Sequence, residues 1–256
     1  MVDNDSRADT VSFNSNKINF LYLNVCGLKK RLLCPDFVGL IADHDICIFV
    51  ETKLSDLDNL DVPVNYECVK KNRKKCKKAS GGIAVLFKKE LKSVIKFHDT
   101  KNEFILWFQL SKTFFQSVSD LLFGCVYIPP ENSSYSSAES FNEIETDILY
   151  FSSKSISNIA LIGDFNAKTG VLQDYIVPDQ CIVDMFDIES DKEILEFMYD
   201  FENLRQYDIP LQRVTKCSCT PNSYGHKLLN LCKKTNIYIA NSRVGEDKGV
   251  GEKTCL

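Results

Sequence analysis

The sequence predicts a layered α/β domain, and two observations carry that expectation. Short apolar runs of strand length recur along the chain, several ending abruptly in Gly, Pro, Asn or Asp. Between them lie stretches whose apolar residues recur at helical spacing. Many strands with a few intervening helices belong to layered α/β or α+β folds. The 256 residues, 44% apolar and 26% charged, suffice for one large domain or two small ones with a sizeable core. This composition excludes a disordered or collagen-like chain.

Residues 1–16 are rich in Asp, Ser and Asn and read as a disordered tail, which places the ordered domain at 17–256. Ile18 to Val25 is a short apolar run, as expected of a buried strand. Cys34 to Ala42 predicts a helix, opened by Pro35 and Asp36, with Phe37, Leu40 and Ile41 on its inner face. Asp45 to Val50 is a second buried strand, running into Glu51. Gly81-Gly82 makes a tight turn before the strand Ile83 to Phe87. Phe104 to Leu110 and Leu121 to Ile128 follow as strands, the latter stopped by Pro129-Pro130. Ser137 to Phe151 has helical spacing, with Phe141, Ile144, Ile148 and Leu149 on one face. Ile159 to Ile162 is a strand entering Gly163-Asp164-Phe165-Asn166. Further helices are expected at Asp191 to Tyr207, with Ile194, Leu195, Met198, Phe201 and Leu204 inward, and at Tyr224 to Lys234. Strands are expected at Ile237 to Ala240 and near Lys253.

No apolar run reaches the length of about 20 residues that a membrane span requires, so no membrane partner is expected. The N-terminus is polar and carries Asp3, Asp5 and Asp9, unlike a secretory signal. The 11 scattered cysteines then read as reduced thiols of the cytosol or nucleus. Cys217 and Cys219, with His226 and Cys232, lack the spacing usual for zinc.

Three predicted strands end in polar side chains: the first at Asn24, the second at Glu51, and the Ile159 strand at Asp164 and Asn166. Strand ends are where a rigid scaffold meets solvent, so functional groups are often placed there. A carboxylate at such a rim can hold Mg²⁺, which prefers oxygen ligands and keeps several waters. A second carboxylate can orient or deprotonate a water, and amides can donate to phosphate without adding negative charge. Each residue alone also has a plain reading, as a turn former or a surface carboxylate. Asp164-Phe165-Asn166 is more specific, because it places two polar side chains on one side of a buriable aromatic.

The motifs Leu23-Asn24-Val25-Cys26-Gly27-Leu28, Val50-Glu51-Thr52-Lys53, Gly81-Gly82-Ile83-Ala84-Val85, Val126-Tyr127-Ile128-Pro129-Pro130 and Leu161-Ile162-Gly163-Asp164-Phe165-Asn166-Ala167 occur in that order. Together they resemble the endonuclease/exonuclease/phosphatase superfamily, most of all the apurinic-type endonuclease domains of non-LTR retrotransposons. Gly225 with Leu228 and Leu229, and the stretches Ile239 to Arg243 and Gly251 to Thr254, fit the same pattern. The resemblance implies a four-layer α/β sandwich of two facing mixed β-sheets and Mg²⁺-dependent cleavage of phosphodiesters. It implies that Glu51 holds Mg²⁺, with Asn24 beside it or on the phosphate, and that Tyr127 contacts the scissile phosphate. Asp164 would orient or activate the attacking water, and Asn166 would donate to the phosphate or position Asp164. It further implies DNA as partner through its phosphate backbone, no small-molecule cofactor, and a reverse transcriptase in the complete polyprotein.

Two departures qualify the resemblance. Cys26 stands where some relatives carry a carboxylate. The family's Ser-x-Ile-Asp-Tyr-like strand and its terminal Ser-Asp-His motif have no counterpart before Leu256, and His44, His98 and His226 lack the right neighbours. The expectation is therefore a domain whose last strands are missing, inactive or nearly so and poorly stable alone, since losing one acid/base or charge-stabilising group costs about 10²–10⁴-fold in rate.

Seven of the nine residues from Lys70 to Lys78 are basic: Lys70, Lys71, Arg73, Lys74, Lys75, Lys77 and Lys78. The net charge of −4 becomes −11 without them. The run can grip DNA phosphates, serve as a nuclear import patch, or be a solvated loop between strands. The rival functional readings are a phosphatase or lipid phosphodiesterase of the same superfamily and a non-catalytic nucleic-acid-binding remnant.

Overall fold

A computed structural model of the chain describes residues 17–73, 80–115 and 119–252. The expected tail (1–16), the residues Lys74, Lys75, Lys77 and Lys78, and the strand expected near Lys253 lie outside the described residues.

Among the described residues, eight strands form two four-stranded mixed sheets. The first contains β1 (Phe20–Asn24), β2 (Ile46–Val50), β3 (Tyr66–Lys71) and β4 (Ile83–Lys88) in the order β1-β2-β4-β3. The second contains β5 (Ile95–His98), β6 (Ile105–Leu110), β7 (Leu121–Tyr127) and β8 (Ile159–Asp164) in the order β5-β6-β7-β8. Each sheet has one parallel pair. β1 runs alongside β2 with Asn24 opposite Val50, and β7 alongside β8 with Tyr127 opposite Asp164. All other neighbours are antiparallel.

Parallel pairing needs a crossover, and helices supply it. α1 (Leu28–Arg31) and α2 (Pro35–Ala42) join β1 to β2. α3 (Lys112–Phe115) is a single turn between β6 and β7, and α4 (Ser140–Ser153) joins β7 to β8. α5 (Gln180–Met185), α6 (Lys192–Met198) and α7 (Glu202–Gln206) precede α8 (Ser223–Thr235). Three short 3₁₀ turns complete the elements, at Lys89–Ser93, Ile188–Ser190 and Gly245–Asp247.

The alternation of side chains divides the apolar residues into three layers. Ile46, Ile48, Val50, Val85 and Phe87 of the first sheet face Leu106, Phe108, Cys125 and Tyr127 of the second. Cys47, Phe49, Ala84 and Leu86 point the other way and are covered by Leu28 and Ile41 of α1 and α2. Ile105, Trp107, Leu122 and Val126 are covered by Phe141, Ile144, Ile148 and Phe151 of α4 and by Tyr224 and Leu231 of α8. Helix, sheet, sheet and helix therefore stack as a four-layer sandwich, as expected. Burial on both faces explains why β2 and β4 are continuous apolar runs rather than alternating ones.

Several local expectations need correction. Leu40 and Leu149 are exposed, not on the inner faces of α2 and α4. Asp191 to Tyr207 is two helices rather than one, because the chain turns at Tyr199 to bury Phe201 against the Tyr175 ring, centroids 4.9 Å apart. Ile194 is consequently exposed. Ile237 to Ala240 forms no strand; the Ile239 N–H donates to the Asp174 carboxylate instead (2.8 Å). β3 and β5 were not anticipated from the sequence.

Candidate active site

The two parallel pairs end on the same side of the sandwich. Asn24, Glu51, Tyr127 and Asp164 therefore leave four neighbouring strand ends. The backbone turns sharply there: Cys26, Glu51, Lys53 and Asn166 have φ of 47°, 53°, 53° and 49°. Left-handed φ costs a non-glycine residue about 1–3 kcal/mol and persists only where its surroundings enforce it. Here they do so through backbone hydrogen bonds. Gly27 N–H donates to Glu51 O (2.8 Å), Leu28 N–H to Thr52 O (3.0 Å), and Lys53 N–H to Gly81 O (2.9 Å). Gly81 and Gly82, at φ +64° and +88°, form the turn that accepts this approach.

Glu51 is the hub. Its Oε1 accepts from Asn24 Nδ2 (3.0 Å) and from the Tyr127 hydroxyl (3.1 Å). Its Oε2 faces Lys53 Nζ at 3.9 Å, and that ammonium also donates to Cys26 Sγ (2.9 Å). The Cys26 hydrogen bond, more than Glu51, holds the Lys53 pKa above its ordinary value. Tyr127 is 7% exposed. Its burial, then the Glu51 carboxylate, then Asp164 push its pKa far up, against a smaller opposing pull from Arg73. The phenol is thus a proton donor across the physiological range.

Asp164 ends β8, where Gly163 permits a close approach to β7. Asp164 Oδ1 accepts the Asn166 backbone N–H (3.0 Å), and Asn166 Nδ2 donates to Ile128 O (2.8 Å). Asn222 then locks this turn. Its Nδ2 donates to Asn166 O (3.0 Å), while its Oδ1 accepts Lys168 N–H and Gly225 N–H (both 2.8 Å), capping α8. The sequence reading missed Asn222, Lys53 and Cys26. The Asn-Ser pair just before a helical pattern is an N-cap signature that could have identified Asn222.

The donor set fits a hard divalent cation. Mg²⁺ is held by one or two carboxylates, with water and substrate phosphate completing its shell. Glu51 with Asn24 offers that, and no gathering of three or more His, Cys, Asp or Glu side chains that would suit a softer, fully protein-ligated metal occurs among the described residues.

The basic residues divide. Lys70 Nζ donates to the Ser55 and Asp58 carbonyls (3.1 and 2.7 Å), and Lys71 Nζ to the Thr100 carbonyl (2.7 Å). Arg73 instead lies beside the site. Arg73 Cδ and the Tyr127 ring each stand 3.2 Å from where a Cβ on Gly81 would be. The histidines lie elsewhere: His44 bonds Leu40 O (2.8 Å), His98 bonds Gln109 (2.7 Å), and His226 is exposed on α8.

Strand-end carboxylates and amides thus surround a buried phenol. The chain belongs to the endonuclease/exonuclease/phosphatase family, whose sequence pattern matches residues 13–179. Among solved structures it is similar to the Neisseria 3′ phosphatase NExo bound to a product DNA hairpin, 18% identical over 60% of each chain with a TM-score of 0.41. It is also similar to the Leishmania major AP endonuclease LMAP, 16% identical over 59% of this chain and 56% of that one, TM-score 0.46. The endonuclease domain of TRAS1, a telomere-specific non-LTR retrotransposon, is 10% identical over 59% of this chain and 60% of that one, TM-score 0.38. The chain thus spans about three fifths of the length of these structures. No curated protein matches it.

Proposed function

We propose that the chain is a Mg²⁺-dependent phosphodiester hydrolase acting on DNA, of the kind encoded by non-LTR retrotransposons, working beside a reverse transcriptase in a longer polyprotein and located in the nucleus or cytoplasm. One observation carries the chemistry: a single carboxylate oxygen of Glu51 holds both Asn24 and Tyr127, next to the strand end that presents Asp164. Glu51 with Asn24 would hold Mg²⁺, which when bound neutralises charge and polarises the phosphate. Tyr127, kept protonated, donates to a non-bridging phosphate oxygen by turning its single hydroxyl proton away from Glu51 Oε1 once the substrate is bound. Asp164 accepts the proton of the attacking water. Asn166 holds Asp164 through its backbone N–H, since its own amide is committed to Ile128 O. Carboxylate, phenol and amide thus meet the phosphate as donors or metal ligand, with little unscreened negative charge.

The test is nicking of supercoiled plasmid with Mg²⁺. Slow conversion to open circles, weak because none of His44, His98 and His226 bonds to a site residue among the described residues, that is lost in Asp164→Ala and Glu51→Ala supports the reading, whereas nicking that survives both substitutions refutes it. A second reading, DNA binding without chemistry, draws on the fact that none of the three histidines bonds to a site residue. It predicts a gel shift of intact plasmid and no nicking.

A further inference from the structure

Next to Tyr127 lies a second feature that the hydrolytic reading does not use. A cleft of about 380 Å³ opens between the β5–β6 connection and the loop after Pro130. It adjoins the site directly: Phe104, in its wall, accepts the Tyr127 backbone N–H on its carbonyl (2.9 Å), and Arg73 shares the Gly81 contact with the Tyr127 ring.

Arg73 forms the cleft's inner wall. Its guanidinium carbon lies 5.7 Å from the Phe104 ring centroid and 5.2 Å from that of Tyr135. Nη2 donates to the Tyr135 carbonyl (2.5 Å), while Nη1 is buried with no partner among the described residues. Opposite stand Glu103 and Glu143, neither of which is ion-paired with a cation among the described residues. Desolvation first, then Glu103 and other nearby carboxylates, raise the Glu143 pKa, as expected where acceptors lack a donor.

Two carboxylates repel a phosphate, so the cleft does not take the backbone. Aromatic faces and two acceptors with no ion-pair partner among the described residues suit a flat, neutral ring carrying an amino donor. We propose that the cleft binds one unstacked nucleobase with an exocyclic amino group (cytosine, adenine or guanine), flanking the phosphate at Tyr127 and discriminating against thymine. Glu143 or Glu103 accepts from the amino group, and Tyr135 offers its ring face. The inference rests on the phosphodiesterase reading for its biological use but not for its binding chemistry.

Binding of the four deoxynucleoside 5′-monophosphates to the whole chain, measured by equilibrium dialysis, tests it, because the phosphate is common to all four. The expected result is dTMP binding about tenfold more weakly than dCMP, with the difference abolished in Glu143→Gln and all binding weakened in Tyr135→Ala. Glu143 is exposed on α4, so Glu143→Gln is expected to keep the fold. Equal or absent binding of all four nucleotides overturns the proposal, as does a preference that survives Glu143→Gln and Glu103→Gln together. Sequencing of plasmid nick positions separates the two readings. No nicking with retained nucleotide discrimination removes the nuclease and leaves the base site. Nicking without depletion of thymine at either flank, together with equal nucleotide binding, removes the base site and leaves the nuclease.

Discussion

Gly163→Ala adds a single methyl group, yet it acts on both the fold and the site. A Cβ at Gly163 would stand 2.0 Å from the Val126 carbonyl oxygen and 2.7 Å from the Val126 nitrogen and carbonyl carbon. Ordinary contact begins near about 3.5 Å, so β8 has to draw away from β7 by more than ~1 Å. The obstacle is backbone, which cannot rotate aside as a side chain does. The retreat breaks the Val126–Gly163 pairing and strains the Ile128 N–H to Asp164 O bond (2.9 Å), the link that holds Asp164 level with Tyr127. Overpacking of this kind costs about 1–3 kcal/mol of stability. A displacement of about 1 Å at a catalytic group costs about 10²-fold in rate. The expected variant is therefore folded, less stable and nearly inactive, as read by thermal melting and plasmid nicking at a temperature where it remains folded. The control is Gly39→Ala in α2, where an added Cβ meets nothing within 4 Å, and which is expected to gain about 0.5–1 kcal/mol. A Gly163→Ala variant whose melt and nicking both equal those of the wild type would refute the reasoning.

Two further predictions concern stability. Asp174 is fully buried and accepts from Arg243 Nη1 and Nη2 (2.6 and 2.8 Å) and from Ile239 N–H (2.8 Å), with Arg213 4.0 Å away. Asp174→Asn leaves two buried guanidinium groups uncompensated and is expected to cost about 3–5 kcal/mol. The exposed Lys234–Glu145 pair (3.0 Å) should contribute below about 1 kcal/mol, so Glu145→Ala is the comparison in urea titrations; equal losses for the two variants would contradict the account. Burial raises the thiols of Cys47 and Cys232 from 9.0 to about 12. The folded state then holds protons that the unfolded state releases above pH 9. Stability from these groups is complete below that pH and falls through the window up to about pH 12, by about 1.4 kcal/mol per pH unit for each thiol. Melting temperatures measured from pH 8 to 11 should bend downward above pH 9, and a flat profile counts against it.

What was legible in the sequence follows from where each strand sits. β2, β4, β6 and β7 are central in their sheets and covered on both faces, so they are continuous apolar runs. β3 and β5 are sheet edges and carry lysines: Lys70 and Lys71 in one, Lys96 in the other. Charged edge strands resist unwanted pairing, and the same charges hide them from a search for apolar runs. Asn24, Glu51, Asp164 and Asn166 stood out because each ends or closely follows an apolar strand, whereas Tyr127 entered only through the family resemblance. Asn222 is legible only as an N-cap, because its hold on Asn166, 56 residues away, is defined only once α8 is docked. The break at Tyr199 was hidden for a related reason. Phe201 fits a helical period as well as it fits the Tyr175 ring, and only the tertiary contact decides.

The net charge of −4 looks unfavourable for the DNA substrate proposed above, but its distribution changes that judgement. Residues 174–208 hold eleven acidic and two basic side chains, so they carry −9 and the rest of the chain carries +5. The acidity is thus concentrated in the α5–α7 segment, outside the four strand ends that form the candidate site. Within the site, Glu51 and Asp164 are the carboxylates the chemistry requires, accompanied by Lys53 and Arg73 rather than by further acids. Fields near a surface depend on local charge, screened within about 10 Å at 0.1 M salt, so under the proposed function the charges beside Tyr127 and Glu51, where Arg73 and Lys53 stand, bear on a polyanion more than the net −4 of the whole chain does.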